Sequence, residues 1–404
     1  MSEQLIALHE DRLVGRVLCG SAGRLSFIYE EGWRADAHGF PLSLSMPWVT
    51  VQHGHAAIEA FLWNLLPDSA EIQQRWAQQF GVRDKDAFAL VRHVGMDCAG
   101  AIRFLSPQSL NGGDQTEITW LDAAAMARRL KALRRDPAAA RLPQDASWFT
   151  LAGAQPKTAL FGDGDRFGVP SGRIPTTHIL KLPNADREGH AENEHFCLAL
   201  AARIGLPAAR SEVRQFEDET ALVVTRFDRQ VQGGSVRRLH QEDLCQALGL
   251  MPSWKYQSQG GPEASAITRL LQTVSQQPER DVARFTDALA FNWLIGNVDA
   301  HAKNYALMIE SGGRAALAPL YDLWSMLPYE NEPARIRPAM TPGGEERLSS
   351  LAATLPDHAN DLRRELAAAG LDHPVIGRLA ERVAVRAQHC DALLEASRAT
   401  NVVS

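Results

Sequence analysis

The chain of 404 residues has no long apolar run. Stretches such as Ala288 to Ile295 fall far short of the roughly 20 residues that cross a bilayer. No membrane contact is therefore expected. The first residues, MSEQLIALHEDRLVGR, lack a basic start followed by an apolar stretch, and they lack a small-residue cleavage site. The expected location is cytoplasmic. Cysteine is scarce and scattered: Cys19, Cys98, Cys197, Cys245 and Cys390 form no CxxC pair. A disulfide framework and a thiolate zinc site are thereby excluded, and the thiols read as buried and inert. Positive charge is not in excess. Lys and Arg number 42 against 48 Asp and Glu, a net charge of −6. A stand-alone nucleic-acid binder would carry a basic stripe, so any role on DNA needs a basic partner. Internal repeats and low-complexity tracts are absent.

What is present is a soluble globular composition, 45% apolar and 22% charged, long enough for two or three packed lobes. The early pieces VGRVLCG, GRLSFIYE, ALVRHVG and GAIRFL read as strands. Residues 55 to 80 read as a helix broken at Pro67, and residues 119 to 140 as another. Two prolines without periodicity mark a boundary near 135 to 147. WFTLAG, KTALFG, THILKLP and ALVVTRFDR then read as strands, with a helix from Ala191 to Ile204 among them. From about residue 240 the pattern is mostly helical, ending in two helices around Pro374. The expected fold is α+β. Its expected divisions are 1–140 (β-rich), 141–240 (mixed) and 241–404 (helical).

Several motifs carry chemistry. NVDAHAKN holds Asp299 and Asn304 in a D-x-x-x-x-N spacing. One short loop can thus orient an attacking hydroxyl through the Asp and reach a metal through the Asn. Asp322, in LAPLYDLWS, follows an apolar run in the place of a second metal carboxylate, although the tripeptide is Tyr-Asp-Leu rather than DFG. Lys181 ends the aliphatic strand THILKLP, where a lysine is costly unless an anion meets it. Glu192 or Glu194 on the next helix can serve it, and the sequence does not choose between them. In TLAGAQPKT, Gly153 lets backbone N–H groups approach phosphate oxygens, and Lys157 adds charge. VVTRFDR is placed as a hinge strand. In order, these are the parts of a protein kinase.

GAQPKTAL, THILKLP, the ENE of AENEH, VVTRFDR, QEDLCQALG, NVDAHAKNYAL and PLYDLWS together resemble the HipA family of serine/threonine kinase toxins. GRLSFIYEEGW, PLSLSMP, NLLPD and MDCAGAIRF are similar to the same family. The resemblance implies a two-lobed protein-kinase-like fold with an extra N-terminal β-rich subdomain and an all-helical C-terminal lobe. It implies ATP and Mg²⁺ as cofactors and Asp299 as the catalytic base, with Asn304 and Asp322 on the metal. Ala152, Gly153, Ala154, Gln155, Pro156 and Lys157 become the phosphate loop. Lys181 holds phosphates, Thr225, Arg226 and Phe227 form the hinge, and His301, Lys303 and Tyr321 line the nucleotide site. Thr150 stands where the family often carries an autophosphorylated serine, and Thr225 stands where an acidic residue would be unsurprising, a change that a backbone-reading hinge tolerates. The implied partners are a small helix-turn-helix antitoxin, DNA only through that antitoxin, and a protein substrate such as an aminoacyl-tRNA synthetase. Two competing readings are a small-molecule or lipid-headgroup kinase and a catalytically silent co-repressor.

Overall fold

The computed structural model describes residues 3–111, 116–142, 145, 148–233, 235–332, 336–341 and 345–390. It combines antiparallel sheets with helices, an α+β fold, divided into two compact units. The first unit holds Met1–Leu182, Arg214–Lys255 and Ala306–Ala316, and the second holds Pro183–Val213, Tyr256–Tyr305 and Leu317–Ser404.

The first unit opens on a five-stranded sheet ordered Gln52–His53, Leu25–Tyr29, Arg12–Cys19, Glu3–His9, Ile102–Leu105. Apolar residues such as Val14, Val17 and Phe27 turn inward from it. They pack with Trp33, Ile58, Leu62, Leu90 and Val94. Truncating a buried aromatic of this kind costs about 3–5 kcal/mol. The helices His55–Leu65 and Ala70–Phe80 flank Pro67, whose missing N–H and fixed φ stop the first of them. ALVRHVG is a correction: Ala87–Val94 is helical, capped by the Asp86 carboxylate accepting from the Ala89 N–H. Its apolar residues are spaced for a helix buried on a wide face, and in so short a run that pattern imitates a strand.

The same unit contributes five neighbouring antiparallel strands ordered Glu219–Thr225, His178–Lys181, Lys157–Asp163, Arg166–Pro170, Ile118–Leu121. Helix Ala123–Arg135 packs its Met126, Leu130 and Leu133 onto this sheet with Leu160, Phe167, Leu180 and Val223. The helix expected from residue 119 therefore starts later, because 118–121 pair as an edge strand. Residues 148 to 153, expected as a strand, have no ladder partner and run irregularly. The boundary expected at 135 to 147 falls partly on 143, 144, 146 and 147, which lie outside the described residues.

The second unit is mostly helical: His190–Arg203, Ala264–Val274, Pro278–Leu294, Glu345–Ala368 and Pro374–Gln388. Pro278 opens its helix at the first turn, where its lost N–H has no partner to miss. The buried Asp281 accepts from the Ser275 hydroxyl at 2.7 Å and the Leu317 N–H at 3.0 Å. It thus ties the helix start to the run leading to Asp322. The all-helical reading of 241–404 needs amendment. Ala306–Ile309 and Ala315–Leu317 are strands, and Ala306–Ile309 pairs with His240–Asp243 in the first unit. The last helix is Pro374–Gln388, and the part of it expected past residue 390 lies outside the described residues. No described helix is long and apolar enough to cross a membrane.

Candidate active site

In the first unit, Ala152 to Lys157 form an irregular loop entering the strand Lys157–Asp163. Gly153 has φ +96°, a left-handed conformation that L side chains rarely adopt. A Cβ there would lie 2.6 Å from Lys157 Nζ. That ammonium donates to the Ala152 carbonyl at 2.6 Å, Gln155 Nε2 donates to the Leu182 carbonyl at 2.8 Å, and the Leu182 N–H donates to the Pro156 carbonyl at 3.1 Å. Ala154 lies within the same turn. Lys157 and Lys181 are direct cross-strand partners. Like charges opposite one another on one sheet face repel unless an anion lies between them.

Thr150 sits just upstream, fully buried. Its hydroxyl donates to the Leu65 carbonyl at 2.6 Å and its N–H to the Asp97 carbonyl at 3.0 Å. The Gly153 carbonyl accepts from the Asp68 N–H, and the Asp68 carboxylate pairs with Lys255 at 2.6 Å. The NLLPD segment after helix His55–Leu65 therefore anchors the loop at two points.

The segment expected as a hinge, Thr225 to Phe227, continues the strand Glu219–Thr225. Thr225 is exposed, Phe227 half-buried, and Arg226 buried. The Arg226 side chain is committed elsewhere. It donates to both Asp228 carboxylate oxygens, to the Cys98 carbonyl and to the Thr176 hydroxyl, while its N–H donates to the Thr177 carbonyl. Asp97 gathers Arg229 at 2.9 Å, Arg238 at 3.3 Å and Arg226 at 3.5 Å, together with the Thr176 N–H and hydroxyl. Burial opposes ionisation of Asp97, but Arg229, Arg226 and Arg238 outweigh it and hold the carboxyl well below the usual range. Breaking such a buried set by removing one partner typically costs about 3–5 kcal/mol.

In the second unit, helix Pro278–Leu294 ends through Gly296 at φ +64°, where a Cβ would meet Leu327 at 2.9 Å. The chain then turns into the Asp299 loop. Asn297 donates to Asn292 Oδ1 at 2.8 Å and accepts from the Asp299 N–H at 3.0 Å. The Asp299 carbonyl accepts from Asn304 Nδ2 at 2.7 Å and from the His301 N–H at 2.8 Å. The Asp299 backbone is thus fixed while its side chain stays 41% exposed. With its Nδ2 engaged, Asn304 keeps Oδ1 for a hard cation, which prefers oxygen ligands. His301 and Lys303 are buried in the same loop.

Asp322 has φ +53°, and positive φ is uncommon outside glycine. Strained positions of this kind gather at functional sites. Tyr321, just before it, donates its hydroxyl to the Lys303 carbonyl at 2.7 Å, which straps the Asp322 segment to the loop carrying Asn304. Among the described residues no cluster of three or more His, Cys, Asp or Glu is placed to hold a metal. Asn304 and Asp322 suit Mg²⁺, which takes one or two protein ligands and completes its shell with phosphates and water. On helix His190–Arg203, Glu194 is buried and Glu192 half-exposed, so Glu194 is the one whose charge calls for a cation. Asn193 beside it exchanges two hydrogen bonds of 2.8 Å with the Ser325 backbone.

The sequence reading missed Asp97, Asp68, Lys255 and Tyr256. Tyr256 donates its hydroxyl to Asp299 Oδ1 at 2.5 Å. The last two do follow one another in sequence. Nothing in that pair marks its partners, which lie far away along the chain.

A family model for the HipA N-terminal domain matches residues 5–105, and one for the HipA-like C-terminal domain matches residues 149–390. "Putative kinase Y4mE" of Sinorhizobium fredii is 39% identical over 326 residues, covering 79% of this chain and 76% of that protein. The serine/threonine-protein kinase toxin HipA of Shewanella oneidensis is 32% identical over 341 residues, covering 80% and 75%. A chain of the solved Shewanella oneidensis MR-1 complex of HipA, HipB and operator DNA superposes with a TM-score of 0.79 at 26% identity, covering 95% and 97%. Matched in order by both domain models and by these relatives over most of its length, the chain belongs to the HipA family of kinases.

Proposed function

We propose that the chain is an ATP- and Mg²⁺-dependent serine/threonine-protein kinase, the toxin of a type II toxin–antitoxin module. It transfers the ATP γ-phosphate to a protein, an aminoacyl-tRNA synthetase by family likeness, and so stops translation and growth. The Asp299 loop carries the reading: a carboxylate with a fixed backbone and an accessible side chain, five positions before an Asn whose amide oxygen is unspent. Asp299 accepts or orients the proton of the attacking hydroxyl. Lys157, Lys181 and the N–H groups of the Gly153 loop meet phosphate oxygens, and Thr225 to Phe227 face adenine through backbone, since the Arg226 side chain is engaged elsewhere. Mg²⁺, held by Asn304 and Asp322, neutralises phosphate charge when bound. Residues 1–140, 141–240 and 241–404 are the proposed functional divisions, and the cytoplasm the proposed location. Radiolabel transfer from γ-labelled ATP to protein tests the activity.

Thr150 is the proposed self-modification site. Its hydroxyl is tied to Leu65 and fully buried, so it must be released before it can be phosphorylated, and the reaction is slow. A phosphate adds nearly two negative charges, which a buried neutral site cannot hold without a heavy desolvation cost. The loop then leaves its anchors, and ATP affinity falls. Intact-mass measurement after long incubation with ATP and Mg²⁺ should show one added phosphate, absent in Thr150→Ala. An enzyme active on an external substrate but unmodified at Thr150 lacks this switch.

The solved relative in complex with HipB and operator DNA, together with the net charge of −6, supports a small, basic, helix-turn-helix antitoxin as partner. DNA contact then comes through that antitoxin. The isolated chain should bind DNA weakly; tight, salt-sensitive binding by the chain alone contradicts this.

A further inference from the structure

We infer that Tyr256 is the positioning residue for the catalytic base. It holds one carboxylate oxygen of Asp299 so that the other faces the acceptor hydroxyl. The inference rests on Asp299 being the base of the phosphoryl transfer proposed above.

The geometry fixes the Asp299 backbone but not its side-chain torsions. Its N–H is held by Asn297, and its carbonyl by Asn304 and by the His301 N–H. The χ1 torsion can still change rotamer, and the carboxyl group can turn about χ2, which for Asp is broad rather than confined to sharp wells. At 41% exposure, water competes for both oxygens. The Tyr256 hydroxyl removes that freedom by donating to Oδ1 at 2.5 Å, within the short range of hydroxyl–carboxylate bonds and stronger than a neutral bond. His301 Nε2 lies 3.8 Å from the same Oδ1, too far for a hydrogen bond but on the same side of the carboxylate as the Tyr256 hydroxyl. Both neighbours therefore converge on Oδ1, and Oδ2 is the oxygen left for the substrate.

Tyr256 is itself held. Its carbonyl accepts from the Gln259 N–H at 3.0 Å and the Gly261 N–H at 2.9 Å, closing a tight turn. Its ring meets the buried His301 ring edge-on, with centroids 4.8 Å apart and planes at 86°. The next residue, Gln257, accepts from the Thr341 N–H at 3.0 Å. The hydroxyl is thus delivered by a backbone and a ring that do not depend on it. Tyr321 and Tyr329 donate to backbone carbonyls, those of Lys303 and Glu188, whereas Tyr256 donates to a carboxylate.

Tyr256→Phe in the full chain keeps the ring contact with His301 and deletes the oxygen. With γ-labelled ATP, Mg²⁺ and a mixed Ser/Thr peptide pool as acceptor, kcat should fall about 10- to 100-fold, the scale of a misplaced reacting group. KM for ATP and the melting temperature should stay within error of wild type, a split that a merely structural residue does not give. Introduced into Asp299→Asn, the same change should lower the residual rate no further, because the group it positions is already gone. Wild-type kcat in Tyr256→Phe, a raised kcat, or an undiminished effect in the Asp299→Asn background overturns the inference while leaving the kinase reading intact. A wild-type chain that labels no peptide and no protein overturns both.

Discussion

Asp299→Asn loses phosphoryl transfer by roughly a hundred- to ten-thousand-fold, the range of a deleted general base, while ATP affinity and melting temperature stay at wild type. The substitution is nearly isosteric. The backbone bonds that hold position 299, from Asn297, Asn304 and His301, do not involve its carboxylate. An Asn Oδ1 can still accept from Tyr256. What disappears is the charge and the second acceptor oxygen that handle the acceptor hydroxyl's proton. Calorimetry with ATP and Mg²⁺ alongside a transfer assay separates the two effects. Near wild-type turnover in this variant would remove Asp299 from the chemistry.

Asp322→Ala abolishes the Mg²⁺ dependence of nucleotide binding and the activity together. Mg²⁺ is held by few protein oxygens, so losing the carboxylate leaves Asn304 as the sole proposed protein ligand. The backbone at 322 complicates the alanine, since φ +53° costs an ordinary L residue about 1–2 kcal/mol. Asn tolerates that region, so Asp322→Asn is the cleaner variant: it keeps the turn and removes the charge. Both variants should bind ATP equally with and without Mg²⁺, and only the alanine should lower the melting temperature. An unchanged Mg²⁺ titration in Asp322→Asn removes the residue from the metal site.

Local signals in the sequence account for much of this arrangement. The D-x-x-x-x-N spacing puts Asp299 and Asn304 on one loop, where the Asn side chain reaches the Asp carbonyl. The aliphatic run THILKLP gives a strand whose last residue is Lys181. Pro67 separates two helices as its ring dictates. Residues 87 to 94 misled because β-branched and aliphatic residues in a short buried helix look like a strand; the Asp86 cap was the local sign to the contrary. The short strands at 306 to 309 and 315 to 317 are set by tertiary pairing rather than propensity. Asp97, Asp68 and Tyr256 were invisible for the same kind of reason. Asp97 meets Arg226, Arg229 and Arg238 more than a hundred residues away, and Tyr256 meets Asp299 across two intervening α-helices. Only the folded chain brings such groups within 3.5 Å. The burial of Glu194 and the half-exposure of Glu192 are likewise properties of the folded chain alone.

The most direct test is incubation of the purified chain with γ-labelled ATP, Mg²⁺ and a bacterial lysate, beside Asp299→Asn at equal concentration. The account predicts label on a discrete protein of the lysate with the wild-type chain and none above background with the variant. Equal labelling by the two chains, or no protein labelled by either, would contradict it.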